Sequence, residues 1–420
     1  MLIKGARRVG KSTLARQFAQ NEYKTSIIID FSVARKEVVE LFDDISDLNF
    51  IFLKLQLYYN VKLENRNSVI VFDEIQLVPK ARQAIKHLVA DGRYDYIETG
   101  SLLSIRKNVK DIIIPSEETR INMYPMDFEE FRWALGDNVT FDLLRQAYEA
   151  RMSLGDGVNR KLMRDFRLYM LVGGMPQAVS SYIKSNDFKT VDKVKREIIE
   201  LYESDLRKID TSGRASMIFD AIPAQLNSNA SRYQVSSVIE NSKASRIEEI
   251  IADLQNSMTV NVSFHTNDPN AGMSFSKDFH RYKIFLADTG LFVTLAFKDK
   301  SFTDNDIYAR LLNDKLSANL GYLYENVVSQ MLKARGYELF YHTFSKKDST
   351  KKYEIDFLIS HKNKVCPIEV KSSGYNTHAS IDEFSVRRKG QIFNKYIVYT
   401  KDFRIDNDFV YLPFYMLSLL

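Results

Sequence analysis

The sequence predicts an α/β fold: a parallel sheet covered on both faces, then a mostly helical stretch, then a second α/β segment. Three observations predict it. Short continuous apolar runs recur between helical patterns over residues 1–135: "SIIIDF" (26–31), "SVIVFDE" (68–74), "YDYIETGS" (94–101) and "TRINMYPM" (119–126). Strands buried on both faces read this way. Residues 5–12 spell Gly-x-x-x-x-Gly-Lys-Ser, a pattern that belongs between the end of a buried strand and a helix. Strand patterns then return after about residue 300.

The first element is the approach to Gly5. Only "MLIK" precedes it, against a typical strand of about five or six residues. Either this stub is a central strand of the sheet, or the sequence begins inside a longer segment. With so short an approach, an intact phosphate site and an open, weak adenine site are expected. The helix after the loop carries Leu14 and Phe18 as its apolar pattern, and a later helix carries Ala81, Ile85 and Leu88 before "DGRYD".

Residues 136 to about 300 read as mostly helical. In "SRIEEIIADLQ", Ser245 and Glu248 have capping-box spacing, and Ile247, Ile250, Ile251 and Leu254 fall on one helical face. A shorter helical pattern, "SSVIENS", precedes it, and a strand-like run, "RYKIFLAD", follows. Two helices with a short connection and then a strand fit a winged helix-turn-helix; a generic helical connector fits equally well. Beyond residue 300, "LGYLYENVVSQMLKARGY" reads as a helix ending at Gly336, and "KYEIDFLIS", "KVCPIEVKS" and "KYIVYT" read as strands.

Composition narrows the class. The 420 residues suggest roughly three domains. A content of 45% hydrophobic and 27% charged residues excludes disordered and collagenous chains. The longest apolar stretches, such as "YLPFYMLSLL", are too short to span a bilayer, so no membrane partner is expected. Cys366 is the single cysteine, which excludes an internal disulfide and fits a reducing cytoplasm. A formal charge of +5 is compatible with DNA or RNA as partner without requiring either.

The loop pattern needs its residue types for physical reasons. Glycines let the backbone of Gly5, Ala6, Arg7, Arg8, Val9 and Gly10 curl so that N–H groups face phosphate oxygens. The helix beginning near Lys11 adds its positive end. Lys11 is expected to reach the β- and γ-phosphates, the Ser12 hydroxyl to ligate Mg²⁺, and Thr13 to follow in the first helical turn. Chance supplies the pattern in about one or two per cent of chains this long. A second feature argues against chance. "VIVFDE" puts Asp73 and Glu74 at the carboxyl end of a buried strand, where open α/β sheets bind ligands. Asp73 would hold Mg²⁺ and Glu74 would act as general base toward water. The competing reading is a strand end exposed to solvent. In "ETGS", Thr99 or Ser101 would sense the γ-phosphate, or simply cap a turn. Arg120 is a candidate for stabilising transition-state charge, in cis or across a homo-oligomer interface; the alternative is a surface arginine.

"YEIDFLISHKNKVCPIEVKSS" is the other stretch that carries chemistry. As a hairpin turning at Lys362-Asn363, it places Asp356 opposite Glu369, with Lys371 on the same face. Two carboxylates and a lysine meet the needs of a metal-dependent phosphodiesterase centre holding a second Mg²⁺ or Mn²⁺. Glu325, in "YENVVSQML", lies partly on an apolar helix face, which is costly without a partner such as a metal or Lys371. The alternative is a structural Glu–Lys pair. His342, Lys346, Lys347, Lys351 and Lys352 precede the hairpin and are candidates to track a phosphate backbone, or a solvated loop.

"KGARRVGKSTL", "VFDEIQLVP", "ETGS", "RINMYPMDFEEF", "LVGGMPQAV", "KIFLADTGL", "GYLYENVV", "EIDFLI" and "PIEVKSS" occur in this order. Together they resemble the bacterial and archaeal family of AAA-like P-loop ATPases with a C-terminal DUF4143 domain. The resemblance implies an ATPase core (1–135) of the type with an extra strand carrying the catalytic glutamate, a helical lid (136–212), a winged-helix-like domain (213–300) and a C-terminal restriction-endonuclease-like, PD-(D/E)xK-type domain (301–420). It implies ATP and Mg²⁺ at Lys11, Ser12, Asp73 and Glu74, with Ser101 as sensor, and assigns Glu325, Asp356, Glu369 and Lys371 to nuclease-like positions. Family members usually have a helix and a full strand before the loop, where "MLIK" stands here.

Two functions follow as expectations. In one, an ATP cycle controls a nuclease-like, nucleic-acid-processing module. In the other, ATP switches an assembly or signalling state and the C-terminal domain binds a partner. A transcriptional or toxin–antitoxin-like regulator is a third reading. The acidic balance of "SRIEEIIADLQ" counts against that helix entering a DNA groove.

Overall fold

The computed structural model describes residues 1–100, 118–228, 230–239, 244–270, 272–299, 308–309, 312–313, 321–346, 350–375 and 377–420. Five strands build the first sheet: β1 (Leu2–Gly5), β2 (Thr25–Asp30), β3 (Ser68–Asp73), β4 (Asp95–Gly100) and β5 (Arg120–Met123). All its pairs are parallel, in the order β2-β3-β4-β1-β5. The four expected apolar runs thus become β2 to β5. β4 lies between the strand that carries the phosphate loop and the strand that carries the acidic pair. The stub "MLIK" supplies a strand paired on both sides, Ile3 opposite Thr99 and Ile121.

Helices α1 (Lys11–Glu22), α2 (Leu48–Tyr59) and α3 (Pro79–Asp91) accompany this sheet. One core gathers Leu2, Ile70, Phe72 and Tyr96 with Phe52 from α2 and Ile85 and Leu88 from α3; another gathers Ile3, Val69, Val71 and Ile97 with Ala15 and Ala19 from α1. Here one expectation is corrected. Leu14 and Phe18 are both 44% exposed, and the face of α1 turned to the sheet is the small one, Ala15 and Ala19. Pro79 opens α3 at its first turn and Gly92, in the left-handed region, follows its end, the asymmetry that helix termini favour.

These strands and helices form one compact unit, Met1–Tyr124 with Asn256–Met258; the other comprises Pro125–Gln255 and Thr259–Leu420. The second unit begins with α4 (Phe128–Ala134), α5 (Thr140–Glu149), α6 (Asp156–Val172), α7 (Pro176–Ser185) and α8 (Phe188–Ile209). α4 opens on a capping box, Asp127 with Glu130. α9 (Arg214–Asp220), α10 (Ile222–Asn227) and α11 (Ala244–Asn256) follow. α11 begins one residue before Ser245, so Ser245 lies inside the helix and is not its N-cap, although Ile250, Ile251 and Leu254 are buried as the pattern requires. Of "SSVIENS", Ser236 and Ser237 belong to a short 3₁₀ turn, Val235–Ser237, and residues 240–242 lie outside the described residues.

An eight-stranded mixed sheet completes this unit: β6 (Val260–Thr266), β7 (Lys277–Leu286), β8 (Phe340–Ser345), β9 (Lys352–His361), β10 (Lys364–Lys371), β11 (Lys395–Tyr399), β12 (Arg404–Asp406) and β13 (Phe409–Pro413), in the order β12-β13-β11-β10-β9-β8-β6-β7. β6 and β7 belong to the stretch expected to be a separate winged-helix-like domain. They are instead the last two strands of this sheet, joined to it by the parallel pairing of Phe264 with Phe340 and His265 with Tyr341. α12 (Thr289–Ala296), α13 (Gly321–Ala334) and α14 (Ala379–Arg387) also belong to this unit.

Two of the sequence motifs are packing devices. The buried Asp288 of "LADTGL" caps α12 through Leu291 N (2.8 Å) and reaches Gly174 N of "LVGGMPQ" at 2.6 Å. A Cβ at Gly174 would lie 2.1 Å from Met126 O, so only glycine lets these backbones meet. No helix among the described residues is long and apolar enough to cross a membrane.

Candidate nucleotide site and C-terminal carboxylate cluster

β1 delivers the chain to Gly5, where a Cβ would come within 2.5 Å of Met123 O on β5. The loop then curls through left-handed backbone at Arg8 (φ 67°) and Gly10 (φ 104°). Gly10 is the N-cap of α1 and offers no side-chain cap; the first N–H groups of a helix lack intrahelical acceptors. Lys11 is buried, and its Nζ donates to Gly5 O (3.1 Å) and Ala6 O (2.9 Å), which lays the ammonium across the loop. Burial lowers its pKa, while the carboxylates of Glu74 and Asp73 act to raise it. Arg7, Arg8 and Thr13 are exposed.

The acidic pair is where the sequence puts it. Asp73 is buried at the end of β3 and accepts from Ser12 Oγ at 2.7 Å. Its Oδ1 also accepts from Thr99 Oγ1 on the adjacent β4. Thr99 in turn accepts from Glu74 N at 3.3 Å. Glu74 is half-buried with φ 55°, an unusual backbone for a residue bearing a side chain. Gln76 Nε2 donates to its Oε2. Sequence reasoning missed Gln76, although "DEIQ" puts an amide two residues after the carboxylate. Of the two sensor candidates, Thr99 meets Asp73; Ser101 lies outside the described residues.

Arg120 is not brought to this site. It opens β5 opposite Leu2, three residues below Gly5, or about 10 Å along the strand. Its Nε donates to Glu118 Oε1 at 2.7 Å. Glu118, whose side chain is buried, also holds Arg82 Nη2 at 2.8 Å. Arg120 thus belongs to an ion cluster at the amino end of the sheet, the wrong end for the phosphates.

Lys11, Ser12, Asp73 and Glu74 fit ATP and magnesium. The hydroxyl and carboxylate of Ser12 and Asp73 are within hydrogen-bond reach, as two groups addressing one small hard cation must be, and Lys11 stands where anionic oxygens need charge.

At the other end of the chain the hairpin has the expected register. Lys364 pairs with His361, and the ladder runs to Ile368 opposite Phe357, with Lys362 in the left-handed region at the turn. Pro367 sits in β10 just before the parallel pairing with β11 begins at Ile368, where its missing N–H costs least. One step beyond Phe357, the carboxylate of Asp356 accepts from Val370 N at 2.7 Å. Glu369 is buried and pairs with Lys371 Nζ at 2.5 Å.

What the sequence did not reveal is the cation at the centre. Lys283 of β7 is buried, with Nζ 2.5 Å from Glu354 Oε1 and 3.5 Å from Glu325 Oε2. Burial pulls its pKa down, but Glu325, Glu354 and Asp356 outweigh burial and hold it well above the ordinary lysine value. Burial, with repulsion from Glu325, raises the Asp356 pKa, and burial raises that of Glu369. The partner of Glu325 is therefore Lys283, not Lys371. Among the described residues no three His, Cys, Asp or Glu side chains are arranged to hold a metal ion. The C-terminal donor set does not fit a metal centre as it stands. His342, a candidate for phosphate tracking, is buried and bonds Thr266 O through Nδ1. Lys347 lies outside the described residues.

Comparison with known proteins gives three matches to family models. Residues 1–132 match an AAA domain, residues 163–301 a domain of unknown function (DUF8612), and residues 320–417 a domain of unknown function (DUF4143). No curated protein matches the chain. Among solved structures, it is similar to Orc1 of Aeropyrum pernix in complex with DNA (13% identity over 74% of this chain and 87% of that one, TM-score 0.30). It is also similar to Cdc6p of Pyrobaculum aerophilum (14% identity, 75% and 88%, TM-score 0.21) and to protein VC1899 of Vibrio cholerae (10% identity, 99% and 94%, TM-score 0.19). The chain therefore carries an AAA domain with a phosphate loop at its N-terminal end, DUF8612 in its middle and DUF4143 toward its C-terminal end.

Proposed function

We propose that the protein is a Mg²⁺-dependent ATPase whose nucleotide state switches an assembly or partner interaction, with a C-terminal module that binds rather than cleaves. The observation that carries the catalytic half is Ser12 Oγ at 2.7 Å from Asp73 Oδ1 beside the buried Lys11. In this reading Lys11 neutralises the terminal phosphates, and Ser12 and Asp73 hold the metal. Thr99 fixes the Asp73 carboxylate, and Glu74, oriented by Gln76, takes a proton from the attacking water. Magnesium, when bound, spreads the charge that develops on the phosphate oxygens. The binding half rests on Lys283, which already neutralises the Glu325, Glu354 and Asp356 group.

ATP-dependent self-association or partner association is expected in the wild type and absent in Lys11→Ala, read by size-exclusion chromatography with light scattering. Association that ignores ATP would sink the switch.

A nuclease is the second reading, favoured by Asp356, Glu369 and Lys371 on adjacent strands in the expected register. Labelled DNA and RNA incubated with Mg²⁺ or Mn²⁺ separate the two. We expect wild type and Lys371→Ala to show the same background; cleavage at least about tenfold above it that Lys371→Ala abolishes would establish the nuclease and overturn the binding module.

A further inference from the structure

The first sheet ends in an exposed strand. β5 is the last in the order β2-β3-β4-β1-β5, and its Arg120, Ile121 and Asn122 are exposed. Leu2 N donates to Thr119 O, and Leu2 is in register with Arg120. In a parallel ladder alternate residues turn both backbone groups to the same neighbour. Ile121 therefore faces β1, and the N–H and C=O of Arg120 and Asn122 point outward. Among the described residues no strand lies on that side. Natural sheets blunt such an edge with lysine, proline or a bulge. This one reads Arg-Ile-Asn-Met without a register shift, and its one charge, Arg120, is held by Glu118 Oε1 at 2.7 Å.

An apolar flank lies beside the edge. Ile121 is in register with Ile3, which shares a core with Ala15 and Ala19 of α1. Cross-strand partners point to one face, so Ile121 is on the α1 face. At about 100° per residue, Ser12 falls about 60° to one side of Ala15, and Phe18 and Leu14 fall about 60° and 100° to the other. Ser12 meets Asp73 of β3, and β3 and β5 lie on opposite sides of β4 and β1. Leu14 and Phe18 therefore overhang the β5 side. Leu14, Phe18 and Ile121 are each 44% exposed.

The strand is complementary to itself. Pair two copies antiparallel about a two-fold axis at Ile121. Arg120 of each copy then stands opposite Asn122 of the other, and every outward backbone group finds its partner. Ile121 meets Ile121 of the second copy in the close, non-hydrogen-bonded position. The only charge on the strand faces an amide and not its own copy. A two-fold contact of this kind closes at two copies.

We propose that two copies of the chain join edge to edge through β5, with Ile121, Leu14 and Phe18 of each forming an apolar seam. This rests on the reading of the nucleotide state as an assembly switch, and it names the partner as a second copy. Both elements of the seam meet the phosphate loop: a Cβ at Gly5 would lie 2.5 Å from Met123 O of β5, and α1 begins at Lys11. Nucleotide in the loop holds both in place, so it strengthens the pairing.

The test is sedimentation velocity of the full chain with and without a non-hydrolysable ATP analogue and Mg²⁺. Wild type is expected to dimerise, and at lower protein concentration with the analogue. Ile121→Lys should weaken dimerisation at least about tenfold by setting like charges opposite each other. Asn122→Pro removes one outward N–H, leaves the bonds to β1 intact, and should weaken it by about as much. Cross-linking reads the register, because Cys366, the single native cysteine, is buried. Under mild copper–phenanthroline oxidation Ile121→Cys should give a disulfide-linked dimer, since the facing Cα atoms would lie about 4.5 Å apart; Asn122→Cys should not. Unchanged circular dichroism verifies the fold of each variant. A monomer at every concentration, dimers indifferent to Ile121→Lys and Asn122→Pro, or equal cross-linking at both cysteines would each overturn the seam. The switch is scored separately. Dimers that ignore the analogue and survive Lys11→Ala fail the switch and leave the seam standing; analogue-dependent dimers that persist in both edge variants fail the seam alone.

Discussion

Glu74→Gln protein is expected to bind ATP and to release phosphate at least about 100-fold more slowly than wild type. The substitution keeps the shape of the side chain and removes only its basicity. Backbone at Glu74 is in the left-handed region, and its N–H is tied to Thr99 Oγ1, so the residue's position is set by the fold and not by its charge. Gln76 Nε2, which donates to Glu74 Oε2 in the wild type, finds the amide oxygen of the variant in its place. Lys11 and the Ser12–Asp73 pair are untouched, so nucleotide affinity stays within a few-fold. Lys11→Ala is the contrasting control: it removes the buried ammonium across the loop and loses the nucleotide itself. Phosphate release and equilibrium binding of a fluorescent nucleotide read the two variants. Unchanged turnover in Glu74→Gln would remove it from the role of base, and weakened binding in that variant would make it a structural residue of the loop.

The parts of this molecule that local chemistry dictates were legible, and the parts that depend on which surfaces meet were not. The phosphate loop and the Asp73–Glu74 end of β3 are consecutive residues whose types their backbone and ligand prescribe. The hairpin register followed from one turn centre, because in an antiparallel pair the turn sets every partner. Leu14 and Phe18 misled because helix periodicity names a stripe without saying which stripe faces the sheet; close packing chose Ala15 and Ala19. The joining of β6 and β7 to β8 rests on a few pairings between residues more than seventy apart, which no local pattern announces. Lys283 was half legible. A lysine in the buried run "RYKIFLAD" must find carboxylates, but that these are Glu325 and Glu354 is decided by tertiary structure. The place of Arg120 was hidden for a related reason: an arginine beside a strand signals charge but not which end of its own sheet receives it.

Above pH 7 the first unit is expected to be more stable as Glu98→Gln than as wild type. Glu98 lies on β4 opposite Leu2, is 0% exposed, and neither carboxylate oxygen has a hydrogen-bond partner. Arg82 and Arg120 are both engaged by Glu118. Burial, reinforced by the Glu118 charge and only partly offset by Arg82, pushes the Glu98 pKa from 4.5 to about 7. The folded state therefore holds a proton that the unfolded chain releases. That contribution is fully present below about pH 4.5 and is lost as pH rises through about 7, so stability declines across this window. The span corresponds to about 3 kcal/mol at pH 8. Glutamine cannot ionise, so it keeps the uncharged packing of the protonated acid at every pH. Urea unfolding of the nucleotide-free protein by far-ultraviolet circular dichroism, at pH 5 and pH 8, is the measurement. The gain of Glu98→Gln over wild type should be under about 1 kcal/mol at pH 5 and rise to about 2–3 kcal/mol at pH 8. The single tryptophan, Trp133, belongs to the second unit, so its fluorescence reports on that unit alongside the circular dichroism. A stability difference that is the same at both pH values would mean that Glu98 is paired when charged, and that the Arg82–Glu118–Arg120 cluster closes around it without strain.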